Sequence, residues 1–204
     1  MAEEHPNARL ETFCDGVFAI ALTLLIIDIR IPSAAGIGSS TEFWRALRQL
    51  MPAMFAFLLS FSVILITWVN HHGALRLVNR TSASFIYANG FLLLTVVIIP
   101  FPASLLGDFL WTNHAAPAVV LYNAALAFQS IGWMFLAGAA LKGQLVSDPA
   151  SALKMRDNRR NAYGACMLYS MLAIAAFWLP GAIAIVTAAT WIFWLILGIR
   201  MRHD

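Results

Sequence analysis

Long apolar stretches, each closed by a short polar or basic break, occupy about 12–31, 46–69, 83–106, 116–141, 162–178 and 181–199 of the chain. Each approaches the roughly 20 residues that an α-helix needs to cross a bilayer. None alternates apolar and polar positions with period two, as a membrane β-strand would, so the pattern predicts six helices. The last two form a tight hairpin at Pro180-Gly181. The first break, from Pro32 to Glu42, is short and rich in Ala, Gly and Ser. Neither an internal repeat nor a low-complexity tract is evident.

Composition agrees. Of 204 residues, 61% are hydrophobic and 11% charged, where a soluble domain carries about a quarter charged residues. The expected fold is an all-α integral membrane protein in which residues 1–204 form one domain, with too little chain left for a soluble domain. The net charge of +3 is dispersed, with no basic run interleaved with aromatics, which argues against nucleic acid as a partner. Cys14 and Cys166 lie far apart and offer neither a C-x-x-C pair nor metal-ligand spacing. Glu3, Glu4, Glu11 and Asp15 stand where a signal peptide carries positive charge, so cleavage near Ser33-Ala34-Ala35 is not expected. No Walker motif or nucleophile elbow appears, and neither an enzyme nor a cofactor is expected.

Basic residues set the orientation. With the N-terminus inside, Arg9, Arg76, Arg80, Lys142, Lys154, Arg156, Arg159, Arg160, Arg200 and Arg202 fall on the inner side, and only Arg30, Arg45 and Arg48 on the outer. Ten against three places both termini and the 142–161 loop in the cytoplasm. Trp44 and Trp111 then fall where interfacial aromatics belong.

The first apolar segment contains two acids, Asp15 and Asp28. Asp28, beside Arg30, reads as a solvated end residue. Asp15 lies six residues past Arg9, roughly 9 Å into a helix, where a carboxylate costs about 2.5–3.5 kcal/mol unless it meets protein or water. At about 100° per residue with Ile20 at zero, Leu24 lies near +40°, Ile27 near −20°, Ile31 near +20°, Phe13 near +20° and Thr23 near −60°, whereas Asp15 lies near −140°. An aliphatic stripe of this kind ordinarily meets lipid or a neighbouring helix. The second segment ends in Trp68-Val69-Asn70-His71-His72 at the level of Asp15, which makes Asn70 or His71 the expected donor to its carboxylate. Asn123, Gln129 and Ser130 in the fourth segment read as interhelical hydrogen bonds.

The run Arg9-Leu10-Glu11-Thr12-Phe13-Cys14-Asp15-Gly16 resembles the R-x-x-x-F-S-D-G signature that opens the first helix of the transmembrane protein 175 family, the lysosomal potassium channel and its bacterial homologues. Trp68 to His72 is similar to that family's W-x-x-H-H ending, and Pro52, Ser60-Phe61 and Pro100-Phe101-Pro102 fit as well. Cys14 departs from the family's Ser; a thiol is a weaker donor, so the polar network around Asp15 is expected to be looser. The resemblance implies a six-helix subunit in a bacterial inner membrane, assembled as a homotetramer around a pore lined by each first helix. It puts the isoleucine constriction at Ile20, further hydrophobic pore positions at Leu24 and Ile27, and a threonine tied to cation preference at Thr23. Arg9, Phe13, Cys14, Asp15, Trp68, Asn70 and His71 then form a supporting network.

Two functions remain in view. One is a potassium-preferring cation channel with a hydrophobic gate, without a T-V-G-Y-G filter or an arginine ladder, binding only transient permeating cations, itself and membrane lipid. Thr23 then has a competing local role, a bond back to the Ala19 carbonyl. The other is a proton-coupled or proton-permeable transporter relaying through Asp15 and His71.

Overall fold

A computed structural model describes residues 7–30, 33–146 and 148–200. The α-helices among the described residues are α1 Ala8–Leu24, α2 Ser40–Gln49, α3 Met51–Arg76, α4 Ala83–Ile98, α5 Pro100–Phe109, α6 Ala115–Lys142, α7 Pro149–Ala175 and α8 Pro180–Arg200. Among the described residues, four stretches are long and apolar enough to cross a membrane, Ala8–Ile27, Met51–Arg76, Ala83–Phe109 and Ala115–Lys142, and α8 is apolar over Pro180–Ile192.

Several boundaries differ from the hydropathy pattern, and local chemistry explains each. The first helix leaves α geometry at Leu24 and tightens into a 3-10 turn, Leu25–Asp28; Ile31 and the Asp28 side chain lie outside the described residues. The segment expected at 46–69 is two helices. Proline at the second position of α3 has no N–H to continue α2, so the chain breaks at Leu50. The polar helix α2 starts at a capping box, with Glu42 N donating to Ser39 Oγ at 3.2 Å and Glu42 Oε2 accepting from Gly38 N at 2.7 Å. Pro100 likewise divides the third segment into α4 and α5. Much of the 142–161 stretch, expected as a loop, is the first half of α7, started by Pro149 and by Asp148 accepting from Ser151 N at 2.9 Å.

Two apolar cores hold the bundle. One joins Phe18 and Ala21 of α1 and Leu25 of the turn after it to Val63 and Ile64 of α3, Val96 of α4, Leu106 of α5 and Tyr122 of α6. The other packs Ala74, Leu75, Phe85, Leu136, Ala140 and Met155 at the end where α3 and α6 finish. Two glycines set helix approaches: a Cβ on Gly107 would lie 2.9 Å from Ala53 Cα, and one on Gly132 would lie 3.0 Å from Leu92 Cα. Asn123 of α6 accepts from Thr187 of α8 at 2.9 Å, the expected interhelical bond. Ser130 instead bonds its own helix at Leu126 O, and Gln129 Nε2 is buried without a partner among the described residues.

Candidate functional site: the exposed face of α1 and the polar ring behind it

The α1 sequence has two apolar faces, and the fold uses one. Cys14, Phe18, Ala21 and Leu25, spaced four, three and four apart, are 0%, 1%, 0% and 3% exposed, a stripe that seats α1 on α3 and α4. The opposite stripe is uncovered, with Ile20 61%, Leu24 40% and Ile27 70% exposed and Thr23 exposed beside them. Of the four long apolar spans, that of α1 is 22% buried against 44%, 50% and 39% for the others. Thr23 Oγ1 donates to the Ile20 carbonyl at 2.9 Å, one residue nearer than the expected Ala19. Its hydroxyl hydrogen is thereby used, and only oxygen lone pairs remain to face outward.

Behind the buried stripe, polar side chains join three helices. Trp68 Nε1 of α3 donates to Asp15 Oδ1 of α1 at 2.7 Å. His71, buried in α3, pairs through Nε2 with Asn89 Oδ1 of α4 at 2.7 Å. Asn89 Nδ2 in turn donates to Cys14 Sγ at 3.2 Å. Since the Asn89 oxygen is an acceptor, His71 Nε2 carries the proton. Phe18 lies with its ring centroid 5.3 Å from that of His71, sealing the pair on the α1 side.

This arrangement corrects the expected pairing. The donor to Asp15 is Trp68, whereas Asn70 is half-buried and His71 is turned toward α4. The direct Asp15–His71 link that a proton relay would use is therefore replaced by two separate bonds. Cys14 acts as an acceptor, not as the weak donor expected from its thiol. Arg9 and Phe13 are exposed and stand outside the ring. Asn89 was missed. It is an amide in an otherwise apolar run, and the reasoning that singled out Asp15 applies to it equally. Asn7 was missed too; its Nδ2 donates to Val78 O at 2.6 Å and ties the start of α1 to the α3–α4 connection.

A family model described as endosomal/lysosomal potassium channel TMEM175 matches residues 9–100, the span from Arg9 through Pro100 that contains the whole polar ring. A potassium channel of Streptomyces collinus is 39% identical over 151 residues, covering 71% of this chain and 72% of that protein. The chain belongs to the TMEM175 family. A second relative, a potassium channel of Chamaesiphon minutus, is 43% identical over 120 residues, 59% of each chain. The crystal structure of a lysosomal potassium-selective channel TMEM175 homolog from Chamaesiphon minutus superposes with a TM-score of 0.84 at 30% identity, covering 94% of this chain and 97% of that one. TMEM175 relatives are ion channels and not enzymes, and this member is a membrane protein.

Proposed function

We propose that this chain is a potassium-preferring cation channel, in which four copies of one domain with six membrane spans surround a pore lined by α1. The observation that carries this reading is the uncovered stripe of Ile20, Thr23, Leu24 and Ile27, set opposite the buried stripe of Cys14, Phe18, Ala21 and Leu25. The relatives named as potassium channels support it. Rings of Ile20, Leu24 and Ile27 would extend over about 10 Å of pore. Narrow apolar rings exclude water, so an ion passes only where the constriction is wide enough to stay wet. Four Thr23 oxygens, their hydrogens committed to Ile20 carbonyls, offer lone pairs to a partly hydrated cation and nothing to an anion. The sequence contains no T-V-G-Y-G segment, so discrimination rests on size, hydration and these hydroxyls. The polar ring of Asp15, Trp68, His71, Asn89 and Cys14 has a structural role: it fixes the rotation of α1, and with it the residues that face the axis. Both termini lie on the cytoplasmic side of a bacterial inner membrane, following the charge asymmetry.

Single-channel recording of two variants tests the pore assignment. Ile20→Asn puts an amide at the constriction, keeps water there, and should raise conductance while lowering discrimination between potassium and sodium. Leu22, half-buried against the core, is the control: Leu22→Asn should leave unitary conductance unchanged. Raised conductance in Leu22→Asn with no change in Ile20→Asn would mean that a different face of α1 lines the path.

A further inference from the structure

We propose that the cavity between the end of α6 and the first three turns of α7 binds a phosphate-bearing anion. The cavity has a volume of about 520 Å³ and is lined by Gln144, Val146, Asp148, Ala152, Arg156 and Arg159, with the last turn of α6 as its floor. Its wall is preformed. Leu145 N bonds Ala140 O at 3.0 Å and Gln144 N bonds Leu141 O at 3.2 Å, a Schellman closure with Gln144 at φ 50° in the position glycine usually takes. Asn79 N then bonds Leu145 O at 2.9 Å, and Val78 bridges to Val146, anchoring the turn to the α3–α4 connection.

The charges in this cavity are unbalanced. Ala152, Arg156 and Arg159 share one face of α7, and neither guanidinium has an ion-pair partner among the described residues, although Arg160 next to them pairs with Asp157 at 3.2 Å. The lining holds one acid against these two arginines, and Asp148 caps α7: its Oδ1 accepts from Ser151 N at 2.9 Å and its Oδ2 from Ser151 Oγ at 2.8 Å. Two guanidinium forks one helical turn apart match the oxygens of a phosphate, and an anion between them removes their mutual repulsion. The Gln144 amide adds a further donor at the rim. The space exceeds that of a phosphate alone and admits the group it esterifies. Because the cavity lies where the span of α6 ends, both a phospholipid headgroup and a soluble phosphate ester have access to it.

Calorimetric titration of the purified full chain in detergent with dioctanoyl phosphatidylglycerol and, separately, glycerol 3-phosphate tests this. At least one should bind saturably, weakened by about tenfold or more in R156Q/R159Q, with R160Q unchanged. Ala152→Phe, which keeps every charge but places a ring on the α7 face that carries both arginines, should weaken binding. Binding of the lipid alone identifies a headgroup site, and equal binding of glycerol 3-phosphate a soluble ligand. The proposal is overturned if neither probe saturates the parent chain, if R160Q weakens binding as much as R156Q/R159Q, or if Ala152→Phe binds as the parent does. None of these readouts depends on ion flux, so they stand apart from the pore reading.

Discussion

At the scale of single residues, the two ends of the ring differ in what a substitution leaves behind. Asp15→Ala strips the Trp68 indole of its acceptor, whereas Asp15→Asn keeps a carbonyl oxygen at the same place. Asp15→Ala should therefore destabilise the chain by about 1–3 kcal/mol, and Asp15→Asn should recover most of it, read as thermal unfolding midpoints in detergent. Asn89→Ala should cost at least as much, because it orphans the His71 ring nitrogen in a buried site. Cys14→Ser should be mild, since a hydroxyl oxygen accepts from Asn89 at least as well as sulfur. A Cys14→Ser midpoint as low as that of Asn89→Ala would show that Cys14 matters through apolar packing instead. Asp15, Cys14, Trp68 and His71 were legible in sequence as a group because each is a polar or unusual residue at one depth. Their pairing was not, because helical depth says nothing about which neighbour a side chain turns to.

At the scale of elements, prolines and glycines explain where hydropathy gives the wrong boundary. Pro52 and Pro100 sit inside runs that remain apolar across the break, so a hydropathy reading passes through both. The polar first half of α7 escapes the same reading, since its helix is set by a cap and by packing against α6. Glycines define the helix crossings more narrowly than composition suggests. Gly107→Ala and Gly132→Ala each push a methyl group against a neighbouring backbone and should cost about 1–3 kcal/mol. Gly138→Ala meets nothing within 4 Å and should be neutral or stabilising by up to about 1 kcal/mol, the helix-propensity difference. Equal midpoints for Gly132→Ala and Gly138→Ala would mean that α4 and α6 do not approach as closely as described.

At the scale of the whole molecule, the outstanding property is topology. Ten basic residues on one side against three on the other support a cytoplasmic N-terminus. The natural thiols leave little background for labelling, with Cys14 buried and Cys166 half-buried. Gly36→Cys, in the connection after α1, should react with a membrane-impermeant maleimide on intact cells, and Lys154→Cys, in the first half of α7, only after permeabilisation. The opposite pattern would invert the orientation and put the Arg156–Arg159 cavity on the outer side.

The sequence by itself determined the membrane class, the helical content, the family and the two faces of the first helix, because each follows from local composition or a fixed angular period. Only the tertiary structure decided which of those faces is covered, through the packing of Phe18, Ala21 and Leu25 on α3 and α4. It also decided that Asp15 meets Trp68 while His71 meets Asn89, and that Arg156 and Arg159 line one cavity without an ion-pair partner among the described residues. These outcomes depend on the rotation of each helix about its own axis. Rotation is set by contacts between residues 18 to 75 positions apart, and neither hydropathy nor period records them.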